Sequence, residues 1–227
     1  QSLKNIEIIC VNDGSTDHSG DICRAYCRRD SRFNLIEQQN GGLARSRNAG
    51  LNRAKGKYVC FVDSDDFVHR KYVEILYQNL VEHQADLSMC AYLKYRQGQK
   101  PESDIDNCCS NISRWQMLQA VTTTGPDNTS EKTVVAWNKL IPMDIMRHVR
   151  FPNRLHEDEF MINALLPRIS RVVWTDAVLY YYRQRPESIT GTERQKDIRH
   201  LDALDAVYDR LRIFSGEEYK DLFPDML

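Results

Sequence analysis

The sequence predicts an α/β protein with a mainly parallel, doubly wound sheet. Two observations carry that prediction. Short runs rich in Ile, Val and Leu alternate with segments of helical period through residues 6–95, and the intervening lengths suit βαβ units. Three of the runs also end in polar, Gly-containing or acidic text, the usual signature of strand ends that face a ligand in an open α/β sheet.

Taken in order, IEIICV (6–11) is a buried strand closed by the turn residues Asn12-Asp13-Gly14, and Asp17 or Ser19 caps a helix running to about Arg29. FNLIEQ (33–38) is a second strand, followed by Gly41-Gly42 and a helix from Leu43 to about Ala54. KYVCFV (57–62) is a third strand, Val73, Leu76, Tyr77 and Leu80 mark the next helix, and DLSMCAYLKY (86–95) is a fourth strand. Beyond residue 100 the pattern loosens. Ser113 caps a helix to about Val121, 125–132 is a polar loop, and TVVAWNKLI (133–141) reads as a strand. Glu157 to Leu166 is helical up to Pro167, RVVW and AVLYYYRQ read as two strands, and Ile198, Leu201, Leu204, Val207 and Leu211 form one apolar helical stripe. A main domain over 1–190 with a C-terminal helical segment over 191–227 is the expected division.

Composition narrows the function. Lys and Arg number 31 against 32 Asp and Glu, a net charge of −1, so nothing draws the chain as a whole toward nucleic acid, and any anion site must come from local placement. No apolar run approaches the roughly 20 residues of a membrane span. Seven cysteines, an odd number without zinc-site spacing, predict reduced thiols and a cytoplasmic setting.

The stretch Cys60-Phe61-Val62-Asp63-Ser64-Asp65-Asp66 raises the central question. Three acids within four residues repel one another unless a cation neutralises them, and hard oxygen ligands suit Mn²⁺ or Mg²⁺ with substrate phosphates completing the shell. The plainer alternative is a solvated turn with one acid as a helix cap. The chain lacks the spacing of an EF-hand, a Walker A loop and G-x-G-x-x-G.

Four blocks in order, IEIICVNDGSTD, NGGLARSRNAGLNRAKGKYVCFVDSDDF, LHEDEF and YYYRQRPESIT, resemble glycosyltransferase family 2 over most of residues 5–190. The resemblance implies a GT-A fold and inverting transfer of a sugar from a UDP-sugar to a hydroxyl of a saccharide or lipid-linked saccharide. Surface polysaccharide assembly at the inner membrane face, with peripheral membrane association, would be the setting. It implies that Asn12 and Asp13 contact the nucleoside, that Asn40, Gly42, Arg47 and Asn48 form a wall near base and diphosphate, and that Asp63 and Ser64 face the ribose or sugar. Asp65 would bind the metal, Asp158 with Glu157 would supply the general base, and Arg183 and Ser188 would close over the diphosphate. Trp137 and Lys139 would lie near sugar and acceptor.

Each residue has a plainer reading too: Asn12 and Asp13 as turn residues, Arg47 as a solvated helix face, Asp158 as a first-turn acid favoured by the helix dipole, Trp137 as core. Relatives carry a further strand and helix ahead of Ile6, so the chain is expected to lack the first strand, to leave sheet edges that invite a second copy, and to turn over poorly. Two other functions compete. A non-catalytic nucleotide-sugar-binding module would need a partner domain. A nucleotidyltransferase would need a Gly- and Lys/Arg-rich triphosphate loop, which is not visible.

Overall fold

The computed structural model describes residues 1–96, 105–122, 129–184, 201–216 and 219. The first unit follows the sequence closely. β1 (Ile8–Asp13) pairs in parallel with β2 (Phe33–Gln38), Ile8 opposite Phe33 and Asp13 opposite Gln38. Between them runs α1 (Ser19–Arg29), where Asp17 Oδ1 accepts the Ser19 N–H at 2.9 Å and so satisfies one of the orphan amides of the first turn. α2 (Leu43–Arg53) packs on β1, its entry set by Gly42 at φ 88°, a left-handed conformation that favours glycine.

A six-stranded mixed sheet holds the rest, in the order β3 (Tyr58–Val59), β7 (Lys139–Pro142), β5 (Leu87–Tyr95), β8 (Arg171–Arg183) and β4 (Phe67–Val68), with β6 (Cys109–Ser113) also paired to β8. Its long members are β5 and β8, which run parallel. β3, β4, β6 and β7 are short, and their pairings to β7, β8, β8 and β5 respectively are antiparallel. The α/β class therefore stands, while the expected mainly parallel direction gives way to a mixed one. Parallel neighbours need long crossovers, and these short strands add along β5, β7 and β8 without one.

α3 (Tyr72–Glu82) covers one face of this sheet, burying Tyr72, Leu76 and Leu80 with Cys90, Trp137 and Tyr180; full burial of one such side chain contributes about 1.5–3 kcal/mol. The other face packs against α4 (Arg114–Thr122) and α7 (Glu157–Leu165) through Met117, Leu118, Met161, Ile162 and Leu165. Ser113 caps α4 as expected, in a reciprocal box: its Oγ accepts the Gln116 N–H at 3.3 Å while Gln116 Oε1 accepts the Ser113 N–H at 2.9 Å. α7 ends where Pro167 enters a 3₁₀ turn, Leu166–Arg168.

Four local expectations are corrected. Residues 133–141 are not one strand: α5 (Thr129–Val134) takes the first part, and the chain turns through Asn138 at φ 62° before β7, which the short α6 (Met143–Met146) follows. RVVW and AVLYYYRQ are one strand, β8, whose register against β5 shifts at Cys90–Ala91 and Ala91–Tyr92. The acids at 63–66 lead into β4, not directly into a helix. In α8 (Asp202–Phe214), Leu204, Val207 and Leu211 are exposed, whereas Ala206, Arg210 and Phe214 are buried. The buried face is chosen by a polar anchor: Arg210 bonds Asn163 Oδ1 at 2.8 Å and the Val121 carbonyl at 2.7 Å and pairs with Glu159. Ile198 lies outside the described residues.

Candidate active site

Arg47 is the centre of the site. It lies on the inward face of α2, its side chain only 5% exposed, and its guanidinium meets three carboxylates. Nη1 donates to Glu157 Oε1 at 2.6 Å and to Asp158 Oδ1 at 3.1 Å; Nη2 donates to Asp63 Oδ1 at 3.0 Å. Phe151 packs under it, the guanidinium carbon 5.3 Å from the ring centroid. Burial opposes the charge on Arg47, but Asp158, Asp63 and Glu157 outweigh it and raise the pKa above its ordinary value. The solvated helix face does not describe this residue. A buried cation needs buried anions, and three of them hold it turned inward.

One guanidinium cannot neutralise three carboxylates. Glu157 is the deepest, with a side chain 8% exposed, and burial together with neighbouring Asp158 pushes its pKa well above the ordinary carboxylate value. Asp158, 19% exposed, is also disfavoured by burial, but Arg47, a hydrogen bond from Glu157 and the Ala136 N–H at 3.1 Å on its Oδ2 hold it below the usual carboxylate value. It is therefore the ionised member of the pair. Both stand on the first turn of α7, entered through His156 at φ 58°.

The acidic stretch closes as a turn, the Asp66 N–H donating to the Asp63 carbonyl at 3.0 Å. Its members have different partners. Asp63 is raised by burial, with Arg47 opposing. Asp66 accepts the Tyr180 hydroxyl at 2.7 Å and the Arg183 N–H at 2.7 Å, yet burial still lifts it to about 6. Asp65 makes no hydrogen bond or ion pair among the described residues, and Ser64 is exposed beside it. Arg47 and Tyr180 relieve the crowding at two of the three acids, and Asp65 is the one without a partner among the described residues.

The remaining predicted residues divide. Asp13 accepts from Gln38 Nε2 at 2.7 Å and from the Gly41 and Gly42 amides at 3.0 and 2.8 Å; burial raises its pKa, and these bonds more than reverse that. Asn12 Oδ1 accepts the Ser15 N–H at 3.1 Å, a turn contact. Asn40 is exposed, and its amide lies so near Gly14 that a Cβ there would meet it at 2.9 Å. Asn48 spends both ends of its amide on the Phe151 backbone, at 2.8 and 3.1 Å, bracing the floor under Arg47. Arg183 ends β8 with its guanidinium carbon 5.9 Å from the Phe67 ring centroid. Ser188 lies outside the described residues.

Trp137 and Lys139, expected near sugar and acceptor, are both buried. Trp137 stacks on Tyr180 at 4.4 Å and 14°. Lys139 Nζ donates to the Val135 carbonyl at 2.6 Å and Asn138 Oδ1 at 2.8 Å; burial lowers its pKa to about 7 despite Asp158 nearby. It holds the turn that presents the Ala136 amide to Asp158. The sequence reads Tyr180 as core, which its burial bears out, but not as a partner of the acids; Phe151 and the Ala136 amide were not read from it at all. Only the alternation of side chains along a strand could have placed Tyr180 on the site's side of the sheet.

A cation could be held here by few protein ligands only. Among the described residues no three His, Cys, Asp or Glu side chains gather to hold a metal ion; a site with one protein carboxylate would need waters or substrate oxygens to complete its shell.

The family model for glycosyl transferase family 2 matches residues 1–150. Glycosyltransferase GlyA of Streptococcus pneumoniae serotype 4 is 34% identical over 227 residues, covering 96% of this chain and 32% of that protein. Glycosyltransferase GlyG of the same organism is 35% identical over 204 residues, covering 85% of this chain and 66% of that protein. The chain thus spans 32% and 66% of the length of these two relatives. The crystal structure of S. aureus TarS 1-349 in complex with UDP-GlcNAc superposes with a TM-score of 0.66 over 95% of this chain and 60% of that one, at 20% identity. A mixed sheet flanked by helices, the match over 1–150 and the likeness to that solved fold agree: the chain belongs to glycosyltransferase family 2 and has the GT-A fold.

Proposed function

We propose that the chain transfers a sugar, with inversion, from a UDP-sugar to a hydroxyl of a saccharide or lipid-linked saccharide acceptor in bacterial surface polysaccharide synthesis. The observation that carries this reading is the division of labour among five gathered carboxylates. Asp63 and Glu157 are bound to Arg47, Asp66 is bound to β8, Asp65 has no protein partner among the described residues, and Asp158 is ionised and still partly exposed. So much negative charge would repel a diphosphate unless a cation stood between them. Asp65 would hold Mn²⁺ or Mg²⁺, whose chemistry there is to neutralise negative charge on the leaving diphosphate. The UDP-GlcNAc complex of TarS supports a nucleotide-sugar donor.

Asp158 takes the proton of the acceptor hydroxyl, which attacks the anomeric carbon on the face opposite UDP. Arg47 and the Ala136 amide keep that carboxylate ionised and aimed, and Arg183, at the end of β8 and over the Phe67 ring, would meet the diphosphate. No helix among the described residues is long and apolar enough to cross a membrane; peripheral association at the cytoplasmic membrane face is part of the proposal. The test is a panel of UDP-sugars assayed for transfer and hydrolysis with wild type and Asp158→Asn. The variant should bind donor normally and lose about 10²–10⁴-fold in rate. Equal donor binding with no turnover by either protein would instead favour a binding module.

A further inference from the structure

We propose that Tyr180 is a positioning residue of the donor site: its hydroxyl ties both ends of the 63–66 turn to β8 and thereby sets where Asp65 stands relative to Arg183. This rests on the donor reading above. Tyr180 Oη accepts the Asp63 N–H at 3.1 Å and donates to Asp66 Oδ2 at 2.7 Å. Asp66 Oδ1 in turn accepts the Arg183 N–H at 2.7 Å, and the Asp66 N–H closes on the Asp63 carbonyl at 3.0 Å. A closed circuit of four hydrogen bonds therefore joins the acid turn to the end of β8.

The ring cannot drift from this post. It is fully buried, stacked on Trp137 at 4.4 Å and set edge-on to Tyr72 at 6.2 Å. β4 locks the register from the other side, pairing Phe67 with Tyr181 and Val68 with Tyr180. Asp65 stands between two residues pinned in this way, and Arg183 is held by the same carboxylate that accepts the phenol. A diphosphate bridged by a cation on one side and a guanidinium on the other needs those two groups at a fixed separation, and small displacements of such groups are costly. The hydroxyl is thus assigned a task that ring packing alone does not require.

Tyr180→Phe keeps the stack and removes both bonds; Tyr72→Phe makes the same chemical change in a buried neighbour that does not touch the acids. Three quantities are compared in both variants: amide exchange over residues 61–68, UDP binding by calorimetry with and without Mn²⁺, and the paramagnetic resonance signal of Mn²⁺ titrated in the presence of UDP. Tyr180→Phe should speed exchange at the Asp66 amide and weaken Mn²⁺-dependent UDP binding about tenfold, with metal-free UDP affinity unchanged. Tyr72→Phe should alter none of these. Unchanged exchange in Tyr180→Phe overturns the proposal. So does faster exchange with wild-type Mn²⁺-dependent affinity, which would make the phenol a brace of the fold alone. A wild-type protein that binds UDP no better with Mn²⁺ overturns the donor reading itself, an outcome distinct from either.

Discussion

Replacing Arg47 with Met should unsettle the site more than any other single change. The substitution keeps a long side chain over Phe151 but removes the one cation among Asp63, Glu157 and Asp158, whose side chains are 26%, 8% and 19% exposed. Deleting one partner of a buried ion pair costs about 3–5 kcal/mol, because the charges left behind are neither hydrated nor compensated. That is a large part of the stability of a typical domain, about 5–15 kcal/mol. The loss should depend on pH. Arg47 holds Asp158 down and opposes the burial that lifts Asp63 and Glu157, so without it all three native pKa values rise above the unfolded values of 3.8 and 4.5. A carboxyl raised in the native state stabilises below its unfolded pKa and loses that contribution as pH rises through the native one. The gap between variant and wild type should be smallest near about pH 4 and widen toward neutrality. Urea unfolding from pH 4 to 8 measures it, and adding Glu157→Gln to the variant should recover part of the loss by removing one uncompensated acid. A difference below about 1 kcal/mol that stays flat with pH would show Arg47 to be a solvated-face residue and refute the reasoning.

Asp65→Ala should leave stability within about 0.5 kcal/mol of wild type, since that side chain has no protein partner among the described residues, while abolishing the Mn²⁺-dependent part of UDP binding measured by calorimetry. Asp13→Ala should cost about 1 kcal/mol by removing the carboxylate bonds to the Gly41 and Gly42 amides, which water can then reach. Because the native pKa of Asp13 lies below its unfolded 3.8, its contribution is present above that value and fades as pH falls through the native one, so wild type and variant should converge in acid unfolding curves.

The part of the molecule legible in the sequence is the part governed by local rules. β2 falls on the predicted residues 33–38, and α1, α2, α4 and α7 fall within a residue of expectation at most of their ends, because period, caps and Pro167 mark them locally. β4 is two residues long and exists only because β8 is there to pair with it, so no pattern announces it. α8 shows the converse. Its Leu204, Val207 and Leu211 make a stripe that reads as the buried face, yet Arg210 reaching Asn163, Glu159 and the Val121 carbonyl turns the other side inward. Within the site, the motif residues came together around α2, the 63–66 turn and the first turn of α7. Their individual partners were hidden, since whether Arg47 faces solvent or three acids depends on residues more than 100 positions away.

The most direct measurement is a crystal structure of the chain with UDP and Mn²⁺, with the metal located by anomalous scattering. A manganese peak bonded to the Asp65 carboxylate and to both phosphates, with Asp158 opening onto the sugar side of the same cleft, is the predicted result. Diphosphate bound away from the 63–66 turn, or Asp158 facing a different surface, would contradict it.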